Sequence, residues 1–326
     1  MIEGPIQTNN SGLVFYYDTN NSKSYTGKPT TNYLDNPTQT FNAGEFNQYY
    51  DLRPIFETYG LVPYSLSFEM RATIPGGVFW YMQNGSWSKY GFVGNSINAT
   101  SQWARYKIEN VTPVGPDASW AANTPNDNRA MLATYTGYGS GVLPQVRNMQ
   151  LELGPIATPF VVGTRSNTQG LLDLAGTNTI SLANAAYDSN GALYFNGTGF
   201  CTTTAAVLPS ANSTPITLIA WCKPTNLTGW QTVLGTHGSF RQIGFLNTNF
   251  YFGGNAGGGN NFVSGGTVSN NNWYMLAMVY DGATTGYGYL NGALASSGNI
   301  GTNGGDRKST RLNSSHVSES RMPSSA

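Results

Sequence analysis

The side chains able to do acid–base or nucleophilic work are few and scattered along the 326 residues. From Gly154 to Gly305 there is no glutamate, and Asp173, Asp188 and Asp281 all stand in turn-forming contexts. Glycoside hydrolysis needs two positioned carboxyl groups, one to protonate the leaving oxygen and one to act as nucleophile or base. That stretch offers no such pair. Glu45, Asp51, Glu57, Glu69, Glu109, Asp117, Asp127 and Glu152 precede it, but residue alternation puts Glu69, Glu109 and Glu152 on outward strand phases, where a carboxylate is expected to be solvated. His237 lies in a Gly-Thr-His-Gly turn without a local acid or nucleophile, which gives a catalytic triad no support. Cys201 and Cys222 fit no zinc spacing and read either as two buried thiols or as one disulfide. The expectation is a protein that is not an enzyme.

The chemistry on offer is that of rings and amides. Aromatic residues make up 13% of the chain while charged residues make up only 10%, so the surface must be rich in hydroxyl and amide groups. Carbohydrate recognition uses such material: ring faces stack on sugar CH surfaces, and amides bond the hydroxyls. Val78 to Tyr90, VFWYMQNGSWSKY, is the richest stretch, with Trp80 and Tyr81 before an Asn84-Gly85 turn and Trp87 and Tyr90 after it. Trp80, Tyr81, Trp87 and Tyr90 are the candidate carbohydrate-binding residues, although one phase of each strand must point inward and some of them belong to a core. Trp103, Trp221 and Trp230 are assigned to core or rim. Calcium is an open cofactor for which Asp18, Asp173 and Asp188 are eligible, without an assigned site. The Gly253–Asn261 run, GGNAGGGNN, reads as a flexible loop; no Lys-Ser/Thr ending follows it, so it is not a phosphate cradle.

The elements that must position these groups are strands. Tyr64, Leu66, Phe68 and Met70 alternate with polar residues, as do Ala104, Tyr106 and Ile108, and again Met149, Leu151 and Leu153. Further strands are expected near Leu13–Tyr17, Gly199–Thr203, Ile216–Lys223, Gln231–Leu234, Arg241–Leu246 and Phe250–Phe252. Trp273–Tyr280 is apolar in both phases and needs cover on both faces, and Asn291-Gly292 supplies the positive-φ pair of a tight hairpin. The fold class is all-β, with two jelly-roll sandwiches.

The W-Y-M-L-A-M-V-Y-D-G and Y-L-N-G phrases between Trp273 and Gly292 resemble the concanavalin A-like, or laminin G-like, family. The opening Gly12–Tyr25 resembles that of virion-associated members, whose next pieces recur only at Leu172–Gly176 and Tyr194–Gly197. Asn196 stands where the family more often has Asp, and the alternating Glu-x-Asp-x-Glu strand of its glucanases is missing. Ser65–Arg71, Trp103–Tyr106 and Met149–Phe160, the last carrying Q-L-E-x-G-x-x-A-T-P, resemble carbohydrate-binding-module-like domains of phage tail proteins. The organisation implied is a lead at 1–11, a sandwich built from 12–32 and 166–305, and a jelly roll at 33–165 inserted into an early loop.

Asp306–Ala326 resembles a translated sequencing adapter, with an index near Val317–Glu319, and is expected to be foreign to a sandwich cut short near Gly305. Leaving it out removes Arg307, Lys308, Arg311 and Arg321 against Asp306 and Glu319, so the remainder is slightly acidic. No basic cluster argues for nucleic acid or a membrane surface, and no leader or apolar span is visible. The resemblances imply a non-enzymatic phage virion or tail protein made in the host cytoplasm, binding a host-surface glycan, contacting other virion proteins and forming a homo-oligomer. The alternative is a bacterial secreted or surface polysaccharide-binding protein, an adhesin or the accessory module of a glycoside hydrolase.

Overall fold

A computed structural model describes residues 12–19, 21–83, 95–113, 130–176, 178–188, 193–195, 199–205, 207, 214–236, 241–256, 259–301 and 310–312. It is all-β, as the alternation requires. The chain divides into two compact units, Thr30–Arg165 and the flanking segments Met1–Pro29 with Ser166–Ala326. No helix among the described residues is long and apolar enough to cross a membrane.

In the unit Thr30–Arg165 the elements run β1 (Thr30–Thr31), β2 (Phe46–Asp51), α1 (Arg53–Tyr59), β3 (Tyr64–Ala72), β4 (Gly76–Gln83), β5 (Asn95–Ala99), β6 (Ala104–Val111), β7 (Met131–Tyr135), β8 (Pro144–Leu153) and β9 (Thr164–Arg165). A four-stranded sheet has the order β2-β7-β4-β5 and a three-stranded sheet the order β6-β3-β8; β1 and β9 form a separate antiparallel pair. Leu66, Phe68 and Met70 from β3 meet Val78, Trp80 and Met82 from β4 in one core, with Leu132, Met149 and Leu151. The helix α1 was not legible as a period, because seven residues hold barely two turns. It carries Pro54 in its first turn, is laced by an Arg53–Glu57 ion pair at 2.6 Å, and ends at Gly60, whose φ of 84° suits a residue without Cβ.

The outward phase of β8 corrects one expectation. Glu152 is not solvated but fully buried, as are Gln150, Ser65 and Ser67. The segment after β8 folds back over this face. Glu152 accepts hydrogen bonds from Thr158 N at 2.6 Å, Thr158 Oγ1 at 2.8 Å, Gln150 Nε2 at 2.8 Å and Thr30 Oγ1 at 2.7 Å. Gln150 Oε1 accepts from Val161 N at 2.7 Å, and Arg165 donates to the Pro159 carbonyl at 2.8 Å. The Q-L-E-x-G-x-x-A-T-P phrase is thus a clamp that closes the unit's C-terminal segment onto its own sheet.

In the other unit the strands are β10 (Ile180–Asn184), β11 (Ala186–Tyr187), β12 (Leu193–Tyr194), β13 (Phe200–Thr203), β14 (Ile216–Cys222), β15 (Trp230–Thr236), β16 (Gln242–Leu246), β17 (Asn249–Ala256), β18 (Gly259–Thr267), β19 (Tyr274–Tyr280), β20 (Thr285–Leu290), β21 (Ala293–Asn299) and β22 (Thr310–Leu312). Seven form the sheet β10-β13-β22-β15-β16-β17-β18, four form β14-β19-β20-β21, and β11 pairs with β12. Ile243, Phe245, Phe250 and Phe252 of the larger sheet pack against Leu218, Leu276, Met278 and Tyr280 of the smaller. The other phase of β19 is only partly covered: Ala277 is buried, but its cross-strand neighbour Ile219 is 55% exposed.

Four local features bear on the sequence reading. Asn291 and Gly292 have φ of 53° and 84° and join β20 to β21 as the hairpin signal requires. Most of the run read as a flexible loop is strand: β17 continues through Gly253–Ala256 and pairs with β18. Backbone pairing needs no side chains, and Gly253 has φ 120° with its missing Cβ directed at the Asn261 carbonyl. Thr310–Leu312, expected to be foreign to the fold, pairs with both β13 and β15. Leu13–Tyr17 forms no assigned strand; Tyr16 instead donates to Asp173 Oδ1 at 2.9 Å and accepts from Leu174 N at 2.7 Å.

Candidate functional site

Strand β4 places the site. Its sequence GGVFWYMQ is apolar in both phases, and the structure turns Val78, Trp80 and Met82 inward, all fully buried, leaving Gly77, Phe79 and Tyr81 on the outer face. Register carries that face across the sheet. Phe79 stands opposite Tyr135 on β7 and Ser96 on β5, and Tyr135 stands opposite Phe46 on β2. Tyr81 stands opposite Ala133, which is opposite Gln48. The result is an aromatic row, Phe46, Tyr135 and Phe79, crossing three strands, with Tyr81 beside it.

Exposure and polarity vary along the row. Phe79 is 46% exposed and Tyr81 only 9%, its phenol pushed up to about 12 by burial first and by Tyr135 and Tyr138 second. Beyond the end of β7, Tyr138 is 78% exposed and meets Tyr135 edge to face, with centroids 5.6 Å apart. Its turn is pinned from below: Gly139 N donates to Glu45 Oε1 at 2.9 Å, and Thr136 N donates to the Glu45 carbonyl at 3.0 Å. On the far side of the row, Ser96 and Asn98 are exposed on β5, next to the bare Cα of Gly77. A Cβ at Gly77 would come within 3.1 Å of Ser96 Oγ, so glycine leaves that hydroxyl uncrowded. Rings, a hydroxyl and amides in this order can stack on and hydrogen-bond a sugar; they supply no proton donor and base pair.

The four sequence candidates fare differently. Trp80 is corrected to core: its ring lies between Phe68, 3.9 Å away at 28°, and Tyr49, 5.3 Å away at 21°, so it has no face to offer. Tyr81 is on the outer face, while Trp87 and Tyr90 lie outside the described residues. Phe79, Tyr135 and Tyr138 were missed. The signal for the last two, the T-Y-T-G-Y-G-S-G turn from Thr134, was present but lies far along the chain from the Val78–Tyr90 stretch it completes.

Other groups proposed for chemistry are engaged in structure. Asp173 accepts from Tyr16 N at 2.9 Å, Ala175 N at 3.0 Å and Asn178 Nδ2 at 2.7 Å; burial raises its carboxyl, but these donors outweigh that and hold it below the usual range. Asp281 caps its own turn through Ala283 N at 2.7 Å and Thr285 N at 3.1 Å. Among the described residues no three His, Cys, Asp or Glu side chains converge on a metal-sized point. Cys201 and Cys222 are both free and buried, and burial pushes the Cys201 thiol up to about 12. His237 and Asn196 lie outside the described residues.

Comparison with known proteins places the second unit. A sequence profile of the concanavalin A-like lectin/glucanases superfamily matches residues 195–317. No curated protein matches the chain. Among solved structures, the binding domain of Paraclostridial Mosquitocidal Protein 1 is 11% identical with a TM-score of 0.37, covering 44% of this chain and 41% of that one. The receptor-binding domain of botulinum neurotoxin D is 15% identical with a TM-score of 0.35, covering 48% and 44%. The binding domain of botulinum neurotoxin serotype G is 13% identical with a TM-score of 0.35, covering 47% and 42%. The chain spans less than half the length of each.

Proposed function

We propose that this chain is a non-enzymatic, glycan-binding component of a bacteriophage virion, associated with the tail, and that it engages a host-surface polysaccharide through the outer face of the sheet β2-β7-β4-β5. The observation that carries the binding is the row Phe46, Tyr135 and Phe79 with Tyr81 and Tyr138, flanked by the exposed polar side chains Ser96 and Asn98. The lectin-type profile at residues 195–317 supports the same class of activity. The virion assignment rests on the likeness of Gln150–Pro159 to phage tail modules, with Thr30–Arg165 taken as a module inserted into the lectin-like unit. Shallow sites of this kind are weak singly, and a homo-oligomer on a virion supplies avidity. Asp306–Ala326 is taken as adapter-derived, so only residues 195–305 of the matched stretch count toward this reading. A short segment can occupy the gap between β13 and β15 because open strand edges accept any backbone that reaches them.

The test is retention of the purified chain on host cells and on their isolated wall glycan. Tyr81→Ala combined with Tyr138→Ala is expected to lower retention several-fold; unchanged retention removes this face from consideration. Capsid, portal or lysis genes beside the uncut gene support the virion, whereas an upstream secretion leader supports a secreted adhesin. Reading the gene through the codons of Asp306–Ala326 in source DNA decides the tail.

A further inference from the structure

We propose that the start of β15 carries a second sugar-stacking site, specific for an uncharged pyranose ring, in the unit that does not hold the first. The proposal shares the premise that the chain binds glycans, but it rests on different residues. Trp230 follows Gly229, whose φ of 69° turns the chain into the strand. Alternation then sends Gln231 and Val233 inward, at 8% and 5% exposure, and Trp230 and Thr232 outward. Trp230 keeps 53% of its surface open, although a ring of this size is usually mostly covered.

The indole is held rather than loose. Phe262 on β18 packs 4.6 Å away at 53°, and Tyr251 on β17 packs 5.7 Å away at 57°. These tilted contacts fix the angle of the ring to the sheet, which lowers the entropy lost when a ligand packs against it. Beside it runs a shallow cleft whose floor is Gly244 and whose polar wall is Thr232 and Gln242. A Cβ at Gly244 would collide with the Gln231 carbonyl, so the floor is bare by necessity. Thr232 Oγ1 donates to Gln242 Oε1 at 3.2 Å, and the amide retains two N–H donors beyond that bond.

The lining selects the ligand class. Trp230, Thr232, Gln242, Gly244, Tyr251 and Phe262 give ring faces, hydroxyls and an amide, with no charge among them. An anionic sugar would find no counter-charge there, and a wholly apolar ligand would cover the Thr232–Gln242 pair without replacing its water bonds. A neutral pyranose has an apolar CH face for the indole and rim hydroxyls for the amide.

The experiment is affinity electrophoresis of the full chain in gels containing hydroxyethylcellulose, barley β-glucan, arabinoxylan, galactomannan or dextran, with heparin as the anionic probe. Wild type, Trp230→Ala, Trp230→Phe, Gln242→Ala and the Tyr81→Ala/Tyr138→Ala double variant are compared. At least one neutral polysaccharide is expected to retard the wild type, with Trp230→Ala weakening that interaction about five- to tenfold and Trp230→Phe less. Gln242→Ala, which leaves the aromatic packing intact, is expected to weaken it too, so the proposal does not hang on the folding of one variant. The double tyrosine variant should leave the Trp230-dependent share in place. Retardation that the tyrosine variant abolishes and the Trp230 and Gln242 variants leave unchanged overturns this site while the first stands. The converse removes the first and keeps this one. No retardation by any neutral probe, or heparin binding that falls equally with Trp230→Ala, overturns the proposal.

Discussion

The two outer faces of the unit Thr30–Arg165 are built to opposite ends. The three-stranded face β6-β3-β8 is closed upon itself. Glu69 pairs with Arg147 at 2.8 Å, Arg105 donates to the Asn148 carbonyl at 2.8 Å and to Ser67 Oγ at 2.6 Å, and Trp103 lies under both Arg71 and Arg147, with centroid distances of 4.9 and 4.1 Å. Glu152 and Gln150 gather the returning segment. The four-stranded face β2-β7-β4-β5 carries rings whose outer sides remain open at Phe79 and Tyr138. A face that satisfies its own polar groups holds a fold together, whereas a face of braced rings beside exposed amides has capacity left for a ligand.

The contrast breaks first, and hardest, at Glu152. Glu152→Ala would remove the buried acceptor shared by four donors, leaving Thr158 N without its partner, and is expected to destabilise the unit by about 3 kcal/mol, read by urea denaturation. A loss below about 1 kcal/mol would mean that water replaces the carboxylate and that the clamp is not structural. Thr158→Val removes one acceptor–donor group from the same clamp and should cost about 1–2 kcal/mol. On the opposite face the expectation inverts. Tyr138→Ala, at 78% exposure, should change stability by no more than about 0.5 kcal/mol while weakening glycan retention several-fold. A variant that lost stability and kept retention would make Tyr138 a scaffold residue.

How much of this was legible follows the same division. Where one face of a strand is apolar and the other polar, alternation assigned the interior correctly: Leu66, Phe68 and Met70 are all fully buried. It failed at Glu152, because a polar phase says only that a face is not core, and a later segment can still fold over it. It failed at Trp80 for another reason. V-F-W-Y-M offers rings to both sides, and which side wins is set by what the neighbouring strand β7 presents opposite, Thr134 and Leu132 inward and Ala133 and Tyr135 outward. The candidates on β4 therefore fell on both phases, Trp80 in the core and Tyr81 on the outer face. Trp230 shows the same limit, since Q-T-V after it marks Gln231 and Val233 as one phase without saying which faces in. The hairpin at Asn291-Gly292 was readable because positive φ is a local demand of the backbone itself.

The smallest effect sharpens the comparison most, because the two faces should lose stability at opposite ends of the pH scale. Burial pushes the Glu69 carboxyl up, but hydrogen bonds from Arg147 and Asn148 and the charges of Arg147 and Arg105 outweigh it, so the group is held below its ordinary value. A depressed carboxyl contributes stability that is fully present above its unfolded pKa of about 4.3 and is lost as the pH falls through the lower folded value. Tyr81 runs the other way. Its phenol is raised to about 12, so its contribution is fully present below the unfolded value of about 10 and is lost as the pH rises through the folded one. Urea midpoints measured from pH 3 to 5 should flatten in Glu69→Gln and stay unchanged in Tyr81→Phe; midpoints from pH 10 to 12 should do the reverse. If Glu69→Gln flattens neither limb, the ion pairs of the three-stranded face are surface decoration rather than part of its closure, and the contrast between the faces reduces to the Glu152 clamp alone.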